Sequence, residues 1–170
     1  RGCPGWEGAL LRGYVEGKDP DGDPAAAVEA FSAAIAEGPA FAWVHLNRGA
    51  ARRRLGDDIG SAADYDTALR LRPHYPHARR SRASARIRLR RYAEAIQDLE
   101  ILMAAAPDAA DLWESRARAR QGLGDSAGAM ADWDEAVRLD PSHPDARTNR
   151  GYARNLRGDL DGALEDLDVA

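Results

Sequence analysis

The sequence has one cysteine, Cys3, so it holds no internal disulfide and no cysteine-built zinc site. That is compatible with a reducing compartment, and the reading places the chain in the cytoplasm. Aromatic residues make up only 6% of the 170 residues, which argues against a β-sandwich and for helices packed through small side chains. No apolar run approaches the roughly 18 residues that cross a bilayer, and no basic-then-apolar segment opens the chain, so no membrane contact is expected. There is no glycine-rich phosphate loop following a strand and no catalytic triad signature. The sequence opens on Arg1 without methionine, which reads as a fragment of something longer.

Charge is plentiful and uneven. Residues 1–41 carry 3 basic and 7 acidic side chains, residues 42–107 carry 13 and 7, and residues 108–170 carry 8 and 14. A basic centre lies between two acidic ends, a distribution that steers acidic partners to the middle.

What fills the chain is a repeat. Pro39, Pro73, Pro107 and Pro141 stand 34 residues apart. With those prolines as position 32, units begin at Gly8, Ala42, Pro76, Ala110 and Pro144, and the fifth is cut at position 27. Position 8 reads Val15, Gly49, Ala83, Ala117, Gly151, and position 20 reads Ala27, Ser61, Ala95, Ala129, Ala163. Position 24 is always large: Phe31, Tyr65, Leu99, Trp133, Leu167. Position 27 runs from Ala34 to Ala170. Small residues at 8 and 20 let two helices approach, and the bulky residue fills the space beside them. Gly56-Asp57, Gly124-Asp125 and Gly158-Asp159 supply a left-handed helix end followed by an N-cap. Proline then stops the second helix. Each unit is a helix–turn–helix.

Position 7 is Arg48, Arg82, Arg116 and Arg150, and position 11 is Arg52, Arg86, Arg120 and Arg154. Position 23 answers with Asp64, Asp98, Asp132 and Asp166, and position 25 with Asp66, Glu100, Asp134 and Asp168. In a hairpin turning near position 16 the basic ladder faces the acidic one, so these arginines staple helices through planar, bidentate pairs. The alternative is a ligand-binding stripe. The first unit, with Tyr14 at 7 and Ala30 and Ser32 at 23 and 25, lacks the arginine and the acids together.

This pattern resembles the tetratricopeptide repeat family over about residues 8–170. The resemblance implies an all-α fold, a right-handed α-α superhelix (solenoid) of about five 34-residue helix-turn-helix repeats, in a single domain spanning 1–170. Its repeats fall at about 6–41, 42–75, 76–109, 110–143 and 144–170. It further implies a non-catalytic protein-interaction scaffold, without cofactor, whose first helices line a concave groove for a peptide or partner protein. The family's groove positions fall here on Trp43, Asn47, Arg53 and Arg54, then His77, Arg80, Ser84, Ile87 and Arg88. They continue with Asp111, Glu114, Arg118 and Gln121, and with Thr148, Asn149, Tyr152 and Asn155. The peptide-binding candidates among them are Asn47, Arg53, Arg54, His77, Arg80, Ser84, Arg88, Arg118, Asn149 and Tyr152, with the basic middle favouring acidic segments. The second reading is an accessory region of a larger bacterial enzyme, such as a signalling kinase or glycosyltransferase. The carboxylate clamp of chaperone-binding members finds Glu16 where an asparagine belongs, a side chain of the wrong sign, and is not expected. Nucleic acid is not expected either, because the strict 34-residue period departs from the RNA-reading relatives and the arginines already face acids.

Other motifs carry little. Asp19-Pro20-Asp21-Gly22-Asp23-Pro24 starts like a calcium loop but has Pro24 and Ala30 where glycine and glutamate are required. Arg157-Gly158-Asp159 sits at a turn the repeat demands. His74 and His77 lack carboxylates at ligand spacing, so no metal is expected. Trp6 is expected to cover the open first end of the stack. The last helix, finishing at Ala170 without a polar cap, leaves room for self-association.

Overall fold

The computed structural model describes residues 5–19 and 21–167. Cys3, Pro20, Asp168 and Ala170 lie outside them. The described residues form ten α-helices and no strand. The chain divides into two compact units, Arg1–Leu89 and Arg90–Ala170. The first holds α1 (Gly5–Lys18), α2 (Pro24–Glu37), α3 (Ala42–Arg54), α4 (Asp58–Leu71) and α5 (Pro76–Arg88). The second holds α6 (Tyr92–Ala105), α7 (Ala110–Gly122), α8 (Ser126–Leu139), α9 (Pro144–Leu156) and α10 (Leu160–Leu167).

The proline period sets the helix starts: α3, α5, α7 and α9 begin at Ala42, Pro76, Ala110 and Pro144. Helices α2, α4, α6 and α8 each stop two residues before their proline, where an X-Pro pair disfavours helical backbone. Gly56, Gly124 and Gly158 take φ of 79°, 85° and 84°, the left-handed corner the Gly-Asp turn requires. The following aspartates cap the next helix, Asp57 accepting from Gly60 N at 2.8 Å and Asp125 from Gly128 N at 2.9 Å. The α5–α6 turn has neither residue; Arg90 takes its left-handed corner, at φ 59°.

Within each unit the bulky residue of the second helix lies on the small residue of the first. A Cβ on Gly49 would come within 2.7 Å of Tyr65, and one on Gly151 within 3.1 Å of Leu167. In unit 2 the core gathers Ala117, Ala129, Trp133, Ala136, Val137 and Ala146.

The first hairpin corrects the sequence register. The residue beneath Phe31 is Gly13, where a Cβ would lie 2.8 Å from the ring, whereas Val15 is 55% exposed. Five residues separate α1 from α2 but three separate α3 from α4, so counting back through the turn misplaces α1 by two positions. Position 7 of the first hairpin is therefore Arg12, not Tyr14. The acids are missing there, but the arginine is not. Trp6 also departs from expectation: it lies against Gly38, 6.4 Å from the Phe41 ring, at the α2–α3 junction. The outer side of α1 and α2 keeps instead a cavity of about 490 Å³ lined by Gly5, Gly8, Ala9, Arg12, Ala30 and neighbours.

Candidate functional site

The arginine ladder ties much of the chain's basic charge into the helix packing. Asp64 is buried and takes Arg48 in a forked pair, Nε to Oδ2 at 3.0 Å and Nη2 to Oδ1 at 2.7 Å, with Arg52 Nη1 on Oδ2 at 2.8 Å. Asp132 repeats this with Arg116 at 2.8 and 2.9 Å and Arg120 at 2.7 Å. Asp166 repeats it with Arg150 at 2.5 and 2.8 Å and Arg154 at 3.1 Å. The hydrogen bonds to Asp166 raise the pKa of Arg150, as pairing with a carboxylate does. Arg52, Arg120 and Arg154 also donate to a carbonyl in the first turn of the second helix: Gly60, Gly128 and Gly162 at 3.3, 3.3 and 3.1 Å.

The ladder also joins successive hairpins. Arg48 reaches Ser32 Oγ at 3.1 Å, Arg82 reaches Asp66 at 2.6 Å and Arg150 reaches Asp134 at 3.0 Å. A guanidinium with five donors can serve its own aspartate and the preceding hairpin at once. Arg116 further stacks over Trp113, 4.8 Å from the ring centroid. These arginines are built into the helix packing.

In unit 1 the groove candidates lie on α3 and α5. Asn47 is half-buried and donates to Trp43 O at 2.8 Å, closing a bond within its own helix. Arg53 is exposed. Arg54 ties α3 to the α1–α2 loop, donating to Gly22 O at 2.8 Å and Asp19 O at 3.4 Å. His77, Arg80, Ser84 and Arg88 are all exposed, at spacings of three, four and four, and so share one face of α5. Arg88 donates to Asp58 Oδ1 at 2.6 Å and to Ser84 Oγ at 3.1 Å, which anchors the end of that stripe.

In unit 2 the candidates lie on α7 and α9. Glu114 is only 4% exposed. Asn149 of α9 donates to its Oε1 at 3.2 Å, Ser115 Oγ stands 3.5 Å from Oε2, and Arg118 Nε lies 3.7 Å from Oε1 with its side chain 48% exposed. Burial pushes the Glu114 carboxyl above its usual range; Arg118 pulls the other way, Asp145 adds to the rise, and His143 and Ser115 lower it. His143 makes the second link between these helices. Its Nδ1 accepts from Ala146 N at 3.3 Å, which leaves Nε2 to donate to Asp111 Oδ1 at 3.2 Å. Tyr152 is 59% exposed on α9.

The sequence reading missed His143 as a bridge and His45 as a partner of Asp64, at 3.4 Å. That reading set Asp64 only in an acidic ladder facing the arginines, and no spacing rule singles out a histidine partner. Among the described residues no group of three or more His, Cys, Asp or Glu side chains is placed to hold a metal ion, and no helix is long and apolar enough to cross a membrane.

Helix hairpins recurring every 34 residues, most of them stapled by one repeated ion-pair motif, define an all-α repeat protein. The chain belongs to the tetratricopeptide repeat family, whose profile matches residues 21–76, 58–110 and 114–170. The fold is shared with MamA 41-end from Desulfovibrio magneticus RS-1, at a TM-score of 0.83 and 22% identity, covering 94% of this chain and 91% of that one. It is shared as well with a tetratricopeptide repeat protein from Parabacteroides merdae ATCC 43184, at a TM-score of 0.81 and 22% identity, covering 96% and 64%. No curated protein matches the chain in sequence. Members of this family act as protein-interaction scaffolds and are typically non-catalytic.

Proposed function

We propose that the chain binds an extended peptide segment on the faces of its first helices, and that the α3–α5 part of that surface favours acidic residues. The observation that carries this reading is an exposed basic surface on unit 1, with Arg53 on α3 and Arg80 on α5. Arg48, Arg52, Arg82 and Arg86 are engaged with Asp64 and Asp66 inside unit 1. Arg53 is exposed on α3, and His77, Arg80 and Ser84 share an exposed face of α5. Unit 1 as a whole carries 14 basic and 11 acidic side chains. Exposed guanidinium groups beside hydroxyl and imidazole donors suit carboxylate or phosphate side chains on a segment held by its backbone.

The test is an array of acidic, phosphorylated and free-C-terminal peptides, read against the wild type and Arg53→Glu/Arg80→Glu. Arg88 stays untouched because Asp58 depends on it. Acidic peptides should bind the wild type and lose at least about tenfold in the double variant, a loss of 1.4 kcal/mol or more. Acidic binding that survives the double reversal would sink the assignment to α3 and α5.

A further inference from the structure

Helices α7 and α9 of unit 2 hold a group the architecture does not require. Asp64, Asp132 and Asp166 at position 23 are buried too, but each is met by two arginines. Glu114 is as deeply buried, yet its one hydrogen bond of ordinary length comes from a neutral amide, Asn149 Nδ2 to Oε1 at 3.2 Å. An ionised carboxylate accepts about four hydrogen bonds. Oε2 has only Ser115 Oγ at 3.5 Å, beyond the usual O–H···O range, and Arg118 Nε at 3.7 Å from Oε1 is too far for a bond. A buried charge satisfied this poorly costs the fold stability. The surroundings do not neutralise it. Asp111 and Asp145 are exposed nearby, and His143 spends Nδ1 on the α9 N-terminus and Nε2 on Asp111.

Arg118 indicates what suits the place. It lies one turn along α7, half in solvent, with its guanidinium near Oε1 but not docked on it. It is held as loosely as an exposed i, i+4 pair usually is. A guanidinium arriving from outside could take both oxygens in the forked geometry that Arg116 makes on Asp132 a short way along the same helix.

We infer that Glu114, with Asn149 and Ser115 beside it, is a receptor for a basic side chain of the bound segment, an arginine guanidinium for preference, with Arg118 as a displaceable stand-in. This rests on the reading that first-helix faces bind peptide. It gives unit 2 a preference opposite to that of the α3–α5 surface, in keeping with its 10 basic and 17 acidic side chains.

The test is an NMR titration of the ¹⁵N-labelled chain with N-acetyl-arginine amide, and with N-acetyl-glutamine amide as the uncharged control. The arginine probe should give saturable shifts at residues 111–118 and at Asn149, and the glutamine probe none. Glu114→Gln keeps an acceptor for Asn149 and removes the charge. It should fold, melt no lower than the wild type at neutral pH, and bind the arginine probe at least about tenfold more weakly. Arg118→Ala should bind it more tightly, a gain that a purely structural Glu114 would not produce. No saturable shift in the wild type, shifts mapping elsewhere, or equal affinity in Glu114→Gln would each overturn the inference. The acidic-peptide assay on Arg53 and Arg80 reads the other surface, so either reading can fail alone.

Discussion

Hairpins α1–α2 and α3–α4 sit side by side in unit 1 and are held in different ways. Both lay an aromatic ring on a glycine, Phe31 on Gly13 and Tyr65 on Gly49, with nearly equal clearances. In α3–α4 an ionic knot at Asp64 is added beside the ring. In α1–α2 the matching position is Ala30, and Arg12 is exposed. The apolar contact therefore suffices to close a hairpin. The knot adds a fixed register and, through Arg48 on Ser32, a link to the hairpin before it. Buried ion pairs gain little against desolvation but punish the loss of one partner.

The largest effect should come from cutting the knot. Asp64→Asn strips the counter-charge from Arg48 and Arg52 and should cost about 3 kcal/mol in urea unfolding. Ala30, buried at the corresponding place in the first hairpin, has no such partner to lose, so Ala30→Ser should cost only about 1 kcal/mol, for desolvating one hydroxyl. Comparable losses at the two places would mean that the hairpins are held alike after all.

Next in size is the contact they share. Gly49→Ala and Gly13→Ala each drive a Cβ into a ring, at 2.7 and 2.8 Å. Overpacking of this kind should cost about 2 kcal/mol at both sites. A harmless Gly13→Ala would undo the corrected register of α1.

Tyr65 and Phe31 sharpen the comparison further. The Tyr65 hydroxyl is buried with no hydrogen-bond partner, whereas Phe31 has none to satisfy. Tyr65→Phe should therefore stabilise unit 1 by about 1 kcal/mol, read as a higher urea midpoint at unchanged m. A loss of stability would show that the hydroxyl is satisfied in solution.

Much of this was legible in the sequence because the period is rigid. The Pro39-to-Pro141 series gave the starts of α3, α5, α7 and α9, and the facing basic and acidic ladders gave the staples, while the choice of Asp64 at position 23 as the fork for Arg48 came from the structure. Register failed only in α1, where two extra turn residues broke the count from Pro39. Gly13 lying 18 residues before Phe31, with the long Asp19–Asp23 loop between, was the signal available. The groove was less legible. Family positions selected Arg54 and Arg88, but their bonds to Gly22 and Asp58 span 32 and 30 residues and depend on how neighbouring hairpins stack. The burial of Glu114 depends in the same way on Asn149, 35 residues away.

The smallest expected effect lies at the left-handed corner of the turns, where three hairpins have glycine and one has arginine. Gly56, Gly124 and Gly158 enter the left-handed region without strain, and Arg90 enters it with a Cβ. Its φ of 59° is the value glycine takes freely and arginine takes at a cost. Arg90→Gly relieves that strain but enlarges the freedom of the unfolded chain, and the two terms oppose each other. Relief should prevail, for a net gain of up to about 1 kcal/mol. Gly124→Arg runs the experiment backwards and should lose a similar amount. If both substitutions destabilise, Arg90 is held by contacts of its own, and the α5–α6 turn is a separate solution rather than an imperfect copy of the other three.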